Sequence, residues 1–427
     1  MQLFLAMQRK KFIASAGLLL SGLPLSALPE DVFNTNKYPE TLASDSNDEG
    51  YWNMVRNCFN YPKDFTNLEN GYFSPQPIST EQYHQKQEHY INTRTSWFMR
   101  REQSAAIENT RIELARFLGC SPETLAITRN TTESLNTVIS GYPWNKGDEV
   151  IIGNQDYGSM VAAFKQQAKR YGIIIKTAQI PLHPKSDEEI IQAYLSLATS
   201  KTKIIHLTHL INLSGQVLPA RKIIDASHAR GIEVMVDAAH SVAHIDFKPG
   251  ELDADYLAAS LHKWLCCPLG VGVLMVKEKH ISKIWPLLGD DEFPDANIRR
   301  FQHQGTRPIQ TLLAINEAIR FHEAIGSSRK EQRLRFLKNY WVNKVKSHPA
   351  ITINTPTDDE SRSCAIANVA VKNLNPAELS NKLFDEYKVF TVAIDHEYIK
   401  GVRVTPHLYT TTQDLDKLVD ALLKIAG

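Results

Sequence analysis

The sequence predicts an α/β protein: a large domain built on a mostly parallel sheet, followed by a smaller C-terminal α/β domain. Three observations predict it. Between about 108 and 277, strand-like apolar runs alternate with amphipathic helical stretches. Several of those runs, such as Ile232 to Val236 and Val271 to Val276, are almost continuously apolar, as strands covered on both faces are. After Pro308 the texture changes to long Lys/Arg/Glu-rich helical segments with shorter strands between helices.

The elements follow in order. A helix is expected at 109–118, and strands at 124–128, 149–153, 173–179, 203–208, 232–238, 255–259 and 271–276. Helices at 157–171 and 219–230 separate some of them. Pro219 stands at the first turn of the second of these helices and Gly231 just past its end. Beyond the boundary, 309–347 is helical in pattern. Strands at 365–371, 388–393 and 402–405 alternate with helices near 376–386 and 412–425. The domains expected are therefore 65–308 and 309–427, with 29–64 as a linker and N-terminal arm.

Composition narrows the function. The 427 residues are 43% hydrophobic and 22% charged, which supplies a large core. A formal net charge of +1 and the lack of a clustered basic block exclude nucleic acid as an expected partner. Five cysteines (Cys58, Cys120, Cys266, Cys267 and Cys364) show no CxxC spacing. Buried free thiols are expected, with no disulfide framework and no metal site.

Residues 1–28 depart from the rest. Arg9, Lys10 and Lys11 precede an uncharged apolar run from Phe12 to Leu28, interrupted by Pro24. This is the layout of an export signal or an N-terminal membrane anchor. Arg-Lys-Lys-Phe-Ile is similar to a twin-arginine signal with Lys in place of the second Arg. Leu25-Ser26-Ala27 is a poor cleavage site. The expectation is export to a bacterial periplasm or cell envelope, with contact to a membrane only through this segment.

The sharpest chemical signal runs from Val236 to Val273. Asp237 ends an apolar strand, and such strands deliver their C-terminal residues to a ligand crevice. Lys263 follows the next strand in a Ser-x-His-Lys turn. A lysine amine can bond to an aldehyde, and a carboxylate can keep a pyridine nitrogen protonated. These are the two groups that pyridoxal 5'-phosphate (PLP) chemistry requires.

Val-Asp-Ala-Ala-His followed by Ser-Leu-His-Lys resembles the class V aminotransferases, a family with the PLP type I fold that includes cysteine desulfurases, isopenicillin N epimerases and related lyases. The resemblance covers about 65–425. It implies that Lys263 is the Schiff-base lysine and the catalytic residue, and that Asp237 pairs with the pyridine nitrogen. Ser260 and His262 would contact the phosphate, and His240 would lie beside the phenolic side of the cofactor. The turn from Thr128 to Asn136 follows a strand and opens a helix, where exposed N–H groups favour a phosphate. The resemblance gives that role to Thr131 and Thr132. Tyr157 would stack on the cofactor ring, and Asn212, in Asn-Leu-Ser-Gly, would approach its phenolic oxygen. Gly305-Thr306 matches the turn whose Thr reaches the phosphate of a neighbouring subunit, which implies a homodimer. Arg403, in Arg-Val-Thr-x-x-x-Tyr, would bind a substrate carboxylate, since a guanidinium grips carboxylates bidentately.

Two segments resemble the isopenicillin N epimerase-like branch: Asn67 to Pro77 and Trp97 to Glu102. They add Asn70, Gly71, Arg100 and Arg101 as substrate contacts. One departure stands against sulfur relay: Thr391 to Tyr398, where desulfurases carry a mobile Cys, contains none. The resemblance thus implies an enzyme acting at the α-carbon of an amino acid or peptide-like amine, epimerase-like. Transamination and C–S (β) elimination are alternatives. A secreted PLP-fold binding protein without catalysis is the alternative of a different class.

Overall fold

The computed structural model describes residues 46–427. The expected export or anchor segment, and the linker up to residue 45, lie outside the described residues.

After a two-residue strand β1 (Thr66–Asn67), seven strands form the large sheet. They are β2 (Leu125–Thr128), β3 (Glu149–Gly153), β4 (Ile174–Ala178), β5 (Thr202–Thr208), β6 (Glu233–Asp237), β7 (Tyr256–Ser260) and β8 (Gly272–Val276). Their order across the sheet is β2-β8-β7-β6-β5-β3-β4. Only β8 is reversed, antiparallel to both β2 and β7; β7, β6, β5, β3 and β4 pair in parallel. Each strand predicted from 124 to 276 is present within about two residues of its expected ends.

The continuous apolar runs have the expected cause. Alternate side chains enter different cores on the two faces of the sheet. Val234 and Val236 pack into one, Met235 into the other; Ile205 and Leu207 oppose Ile204 in the same way. Helices cover both faces. Pro219 sits at the N-cap of the helix Ala220–His228, and Gly231 (φ 71°) turns the chain back into β6.

The smaller domain is a four-stranded antiparallel sheet. Its strands are β9 (Ile351–Ile353), β10 (Ala367–Val371), β12 (Val392–Asp395) and β13 (Lys400–Val404), in the order β12-β13-β10-β9. Strand β11 (Val389–Phe390) lies just before β12. Helices Ser327–Val345, Pro376–Tyr387 and Thr412–Ala426 bury Leu337, Trp341, Leu383 and Leu418 in a core of their own.

The N-terminal region holds more structure than a linker. Helix Glu49–Arg56 is capped by Asp48, and Tyr51, Trp52 and Val55 enter the main core. The arm then crosses to the smaller domain. Strand β1 pairs in parallel with β11, Glu69 bridges to Thr405, and Leu68 lies in the smaller domain's core. The sequence groups this stretch with the large domain because its partners lie more than 300 residues away and leave no local trace. The helices Ile78–Arg94 and Ser96–Arg101 also go unannounced by apolar periodicity.

Candidate active site

The site collects at the C-terminal ends of the parallel strands, where the chain leaves the sheet and its backbone groups are free to meet a ligand. Asp237 is the last residue of β6, Ser260 the last of β7, and β2 leads directly into the helix Thr131–Gly141.

At the anion end, Asn130 caps this helix by accepting from Glu133 N. The Thr131 N–H donates to Ser260 Oγ at 2.9 Å, and the two hydroxyls lie 2.8 Å apart. Two residues 129 apart in sequence thus meet at a helix N-terminus, where an anion is favoured. Thr132 faces solvent. Gly272 in β8 makes this arrangement fit: a Cβ there would lie 2.6 Å from Asn130 Cα. The sequence signal was available, since a glycine inside a buried strand marks a close backbone approach.

At the reactive end, Lys263 Nζ lies 2.8 Å from His240 Nε2. Burial pulls the Lys263 amine down to about 8; the carboxylates of Asp237 and Glu69 resist this shift and Arg403 adds to it. His240 is buried and held well below its ordinary value by desolvation and by the cation of Lys263, so it is neutral. His244 donates from Nδ1 to His240 O at 2.7 Å and accepts from Ala365 N at 3.0 Å, which anchors the turn after β6. Its ring stacks on Trp264 with centroids 3.6 Å apart.

Asp237 is buried, and one carboxylate oxygen accepts from Ala239 N at 2.9 Å. Burial raises its pKa, countered by His206 and Lys263. His262 lies half-buried beside Lys263, drawn down to about 4 by burial, and its Nδ1 is a buried nitrogen with no hydrogen-bond partner among the described residues. Tyr157 stands at the end of the loop after β3 with 45% of its surface exposed. Asp156 shapes that loop, accepting from Gly153 N and the Thr208 hydroxyl; burial lifts its carboxyl to about 7.

Arg403 in β13, expected to meet a substrate carboxylate, is buried, but its fork is already engaged. Nη2 and Nε donate to the two oxygens of Glu69 at 2.5 and 3.2 Å, and Nη1 donates to Asn212 O at 3.2 Å. Asn212 therefore meets the site through its backbone carbonyl. Gly71 lies against the guanidinium, since a Cβ there would be 3.0 Å from Arg403 Cζ. Asn70 is fully buried and bonded at both ends of its amide, to Thr405 O and to the Tyr409 and Asn67 side chains. In this structure it fastens the loop to the smaller domain. Glu69 was not singled out from sequence, because its partner is 334 residues away.

Arg100, Arg101 and Thr306 are exposed, and none makes a side-chain hydrogen bond or ion pair with another described residue. Cys266 and Cys267 are core thiols. Both are buried and pushed up by burial, and Cys266 Sγ lies 3.4 Å from His407 Nε2.

Comparison with known proteins fits this geometry. The sequence profile of the family described as aminotransferase class-V matches residues 74–418. The chain belongs to the aminotransferase class-V family. Among this family's proteins, it is 26% identical over 392 residues to the isopenicillin N epimerase of Streptomyces clavuligerus, covering 88% of this chain and 98% of that one. It is 24% identical to a probable cysteine desulfurase of Synechocystis sp., covering 74% and 80%. In fold it is similar to a cysteine desulfurase of Escherichia coli (TM-score 0.75, 21% identity, 87% and 97% covered) and to a cystine C–S lyase (TM-score 0.75, 20% identity, 84% and 97% covered).

This class V chain is a PLP-dependent enzyme of the type I fold. Its residues fit the cofactor: an amine poised near neutrality, a buried carboxylate for a ring nitrogen, a buried His262 Nδ1 with no partner among the described residues, and an anion cradle at Thr131 and Ser260. When bound, PLP supplies an aldehyde for an amine and a ring that accepts electrons from the α-carbon.

Proposed function

We propose that this enzyme removes the α-proton of an amino compound and expels a β-substituent, as a C–S (β) lyase does. The observation that carries the reading is the Lys263 amine, drawn down to about 8 and set 2.8 Å from a neutral histidine. Near neutral pH such an amine exists in both forms in useful amounts. It can take a proton from the α-carbon and give one to a leaving group. Asp237 holds positive charge at the cofactor nitrogen, and Thr131, Ser260 and His262 hold the phosphate.

The desulfurase and cystine lyase likenesses support action on a sulfur amino acid. Relay of sulfur through a protein persulfide is not supported. The segment Thr391 to Tyr398 has no Cys, and Cys266 and Cys267, in the turn that carries Lys263, are buried with raised pKa values. Epimerisation is the second reading, favoured by the match to 98% of an isopenicillin N epimerase. Incubating the holoenzyme with L-cystine and assaying pyruvate, ammonia and D-amino acid tests both. Pyruvate with equimolar ammonia is expected. Racemised amino acid without pyruvate would refute elimination in favour of epimerisation.

We further propose a homodimer in which Thr306 reaches the partner's site, and export directed by residues 1–28. The exposed Thr306 supports the first and the basic-then-apolar segment the second. Light scattering that gives a monomer mass would refute the dimer. Recovery of the native protein only from the cytoplasm would refute export.

A further inference from the structure

The Arg403–Glu69 pair has a consequence for which substrate the site accepts. The two side chains are only 8% and 7% exposed, and Glu69 also accepts from Tyr72 N at 2.9 Å. Glu69 is thus fixed by donors from β13 and from its own loop. A guanidinium has two edges that can hold a carboxylate. Glu69 fills the Nε/Nη2 edge, Asn212 O takes a proton of Nη1, and the Gly71 backbone lies against the group. The pair carries no net charge, and both members act on Lys263.

We propose that Glu69 is a specificity-determining residue that neutralises Arg403 and biases the site toward amines whose carboxyl group is masked as an amide, so that a free α-carboxylate such as that of L-cystine is still accepted but bound less tightly. The proposal rests on the reading that Arg403 faces the substrate at Lys263. A free carboxylate arriving at Arg403 would share one guanidinium with a second anion, and like charges in one buried site oppose each other. A carboxamide meets no such penalty. Its carbonyl accepts from a remaining Arg403 N–H, while its NH2 donates to a Glu69 oxygen. The pair offers one donor and one acceptor side by side, which is the complement of an amide.

The test compares L-alanine with L-alaninamide on the holoenzyme. Dissociation constants are measured by calorimetry and by the change in cofactor absorbance, with concentrations corrected for the unprotonated amine. The wild type should bind the amide about tenfold or more tightly than the acid, the scale of one pKa unit of charge interaction. Glu69→Gln should tighten L-alanine by a similar factor and reverse the preference. A wild type that prefers L-alanine overturns the proposal without recourse to the variant, even if Glu69→Gln folds poorly. A folded Glu69→Gln that binds L-alanine more weakly overturns it too, making Glu69 a positioning residue for Arg403. If neither compound binds a holoenzyme whose cofactor band is intact, the underlying reading of the site fails, and the proposal with it.

Discussion

The Lys263 amine and the His240 ring form a hydrogen-bonded pair, with Nζ 2.8 Å from Nε2. The direction of that bond follows from a third group. The Trp264 indole N–H, which can only donate, reaches His240 Nδ1 at 3.4 Å. A neutral ring that accepts at Nδ1 carries its proton on Nε2, aimed at the lysine lone pair. The arrangement favours the uncharged amine, in line with the lowered pKa of Lys263.

Capture of PLP by cofactor-free protein should therefore follow the neutral fraction of Lys263. With the amine lowered to about 8, the capture rate should level off above that pH. Below it the rate should fall about tenfold per pH unit, as for any single titrating amine. Stopped-flow absorbance across pH 6–9.5 measures this; a midpoint near the ordinary lysine value would contradict it. Lys263→Ala should remove borohydride-trappable cofactor while circular dichroism stays unchanged. PLP trapped on another lysine would show that the assignment is wrong.

Asp237→Asn should still take up cofactor covalently through Lys263 but turn over about 100-fold more slowly, or worse, the lower range for a lost acid–base or charge partner. A neutral amide cannot hold positive charge on the ring nitrogen. Steady-state kinetics beside a cofactor absorbance spectrum separates the two effects, and near-wild-type turnover would refute the role.

Gly272→Ala should weaken cofactor affinity although the residue carries no functional group. Its Cβ would lie 2.6 Å from Asn130 Cα, so the cap and Thr131 must move. Overpacking of this kind costs about 1–3 kcal/mol. Equilibrium dialysis should show weaker PLP binding than in Gly289→Ala, where a Cβ would meet open space and the backbone is not left-handed. Equal affinities in the two variants would remove the cradle argument.

Thr306 is exposed in the single chain, so its contribution should appear only between subunits. Mixing Lys263→Ala with Thr306→Ala protomers gives heterodimers with one site that has both residues. Activity above either parent is expected. No gain, with heterodimers verified by native mass spectrometry, would place Thr306 outside the site.

The sequence made legible what depends on neighbours along the chain. The strands from 124 to 276 announced themselves because burial on both faces demands continuous apolar runs, and Asp237 and Lys263 sit at strand ends where ligand chemistry gathers. Contacts made across the whole chain left no such mark. Strand β1 is two residues long and pairs with residues 389 and 390. Glu69 reads as one acidic residue among many until Arg403 is seen beside it. Asn70 sat inside a recognised motif, yet its amide is spent on Thr405 and Tyr409, which only the fold could reveal.

The arm that crosses from residues 66–70 to residues 389–409 also bears on the order of assembly. Thr131, Asp237, Ser260 and Lys263 are all synthesised before residue 264, and their strands can associate while the C-terminal domain is still being made. Glu69 and Asn70 are among the first of the described residues to emerge, yet they must wait for Arg403, Thr405 and Tyr409, among the last. A chain halted at residue 399 would hold Thr131, Asp237, Ser260, Lys263 and Glu69 but lack Arg403, the guanidinium that Glu69 pairs with. Completion of the pocket is thereby tied to synthesis of the smaller domain.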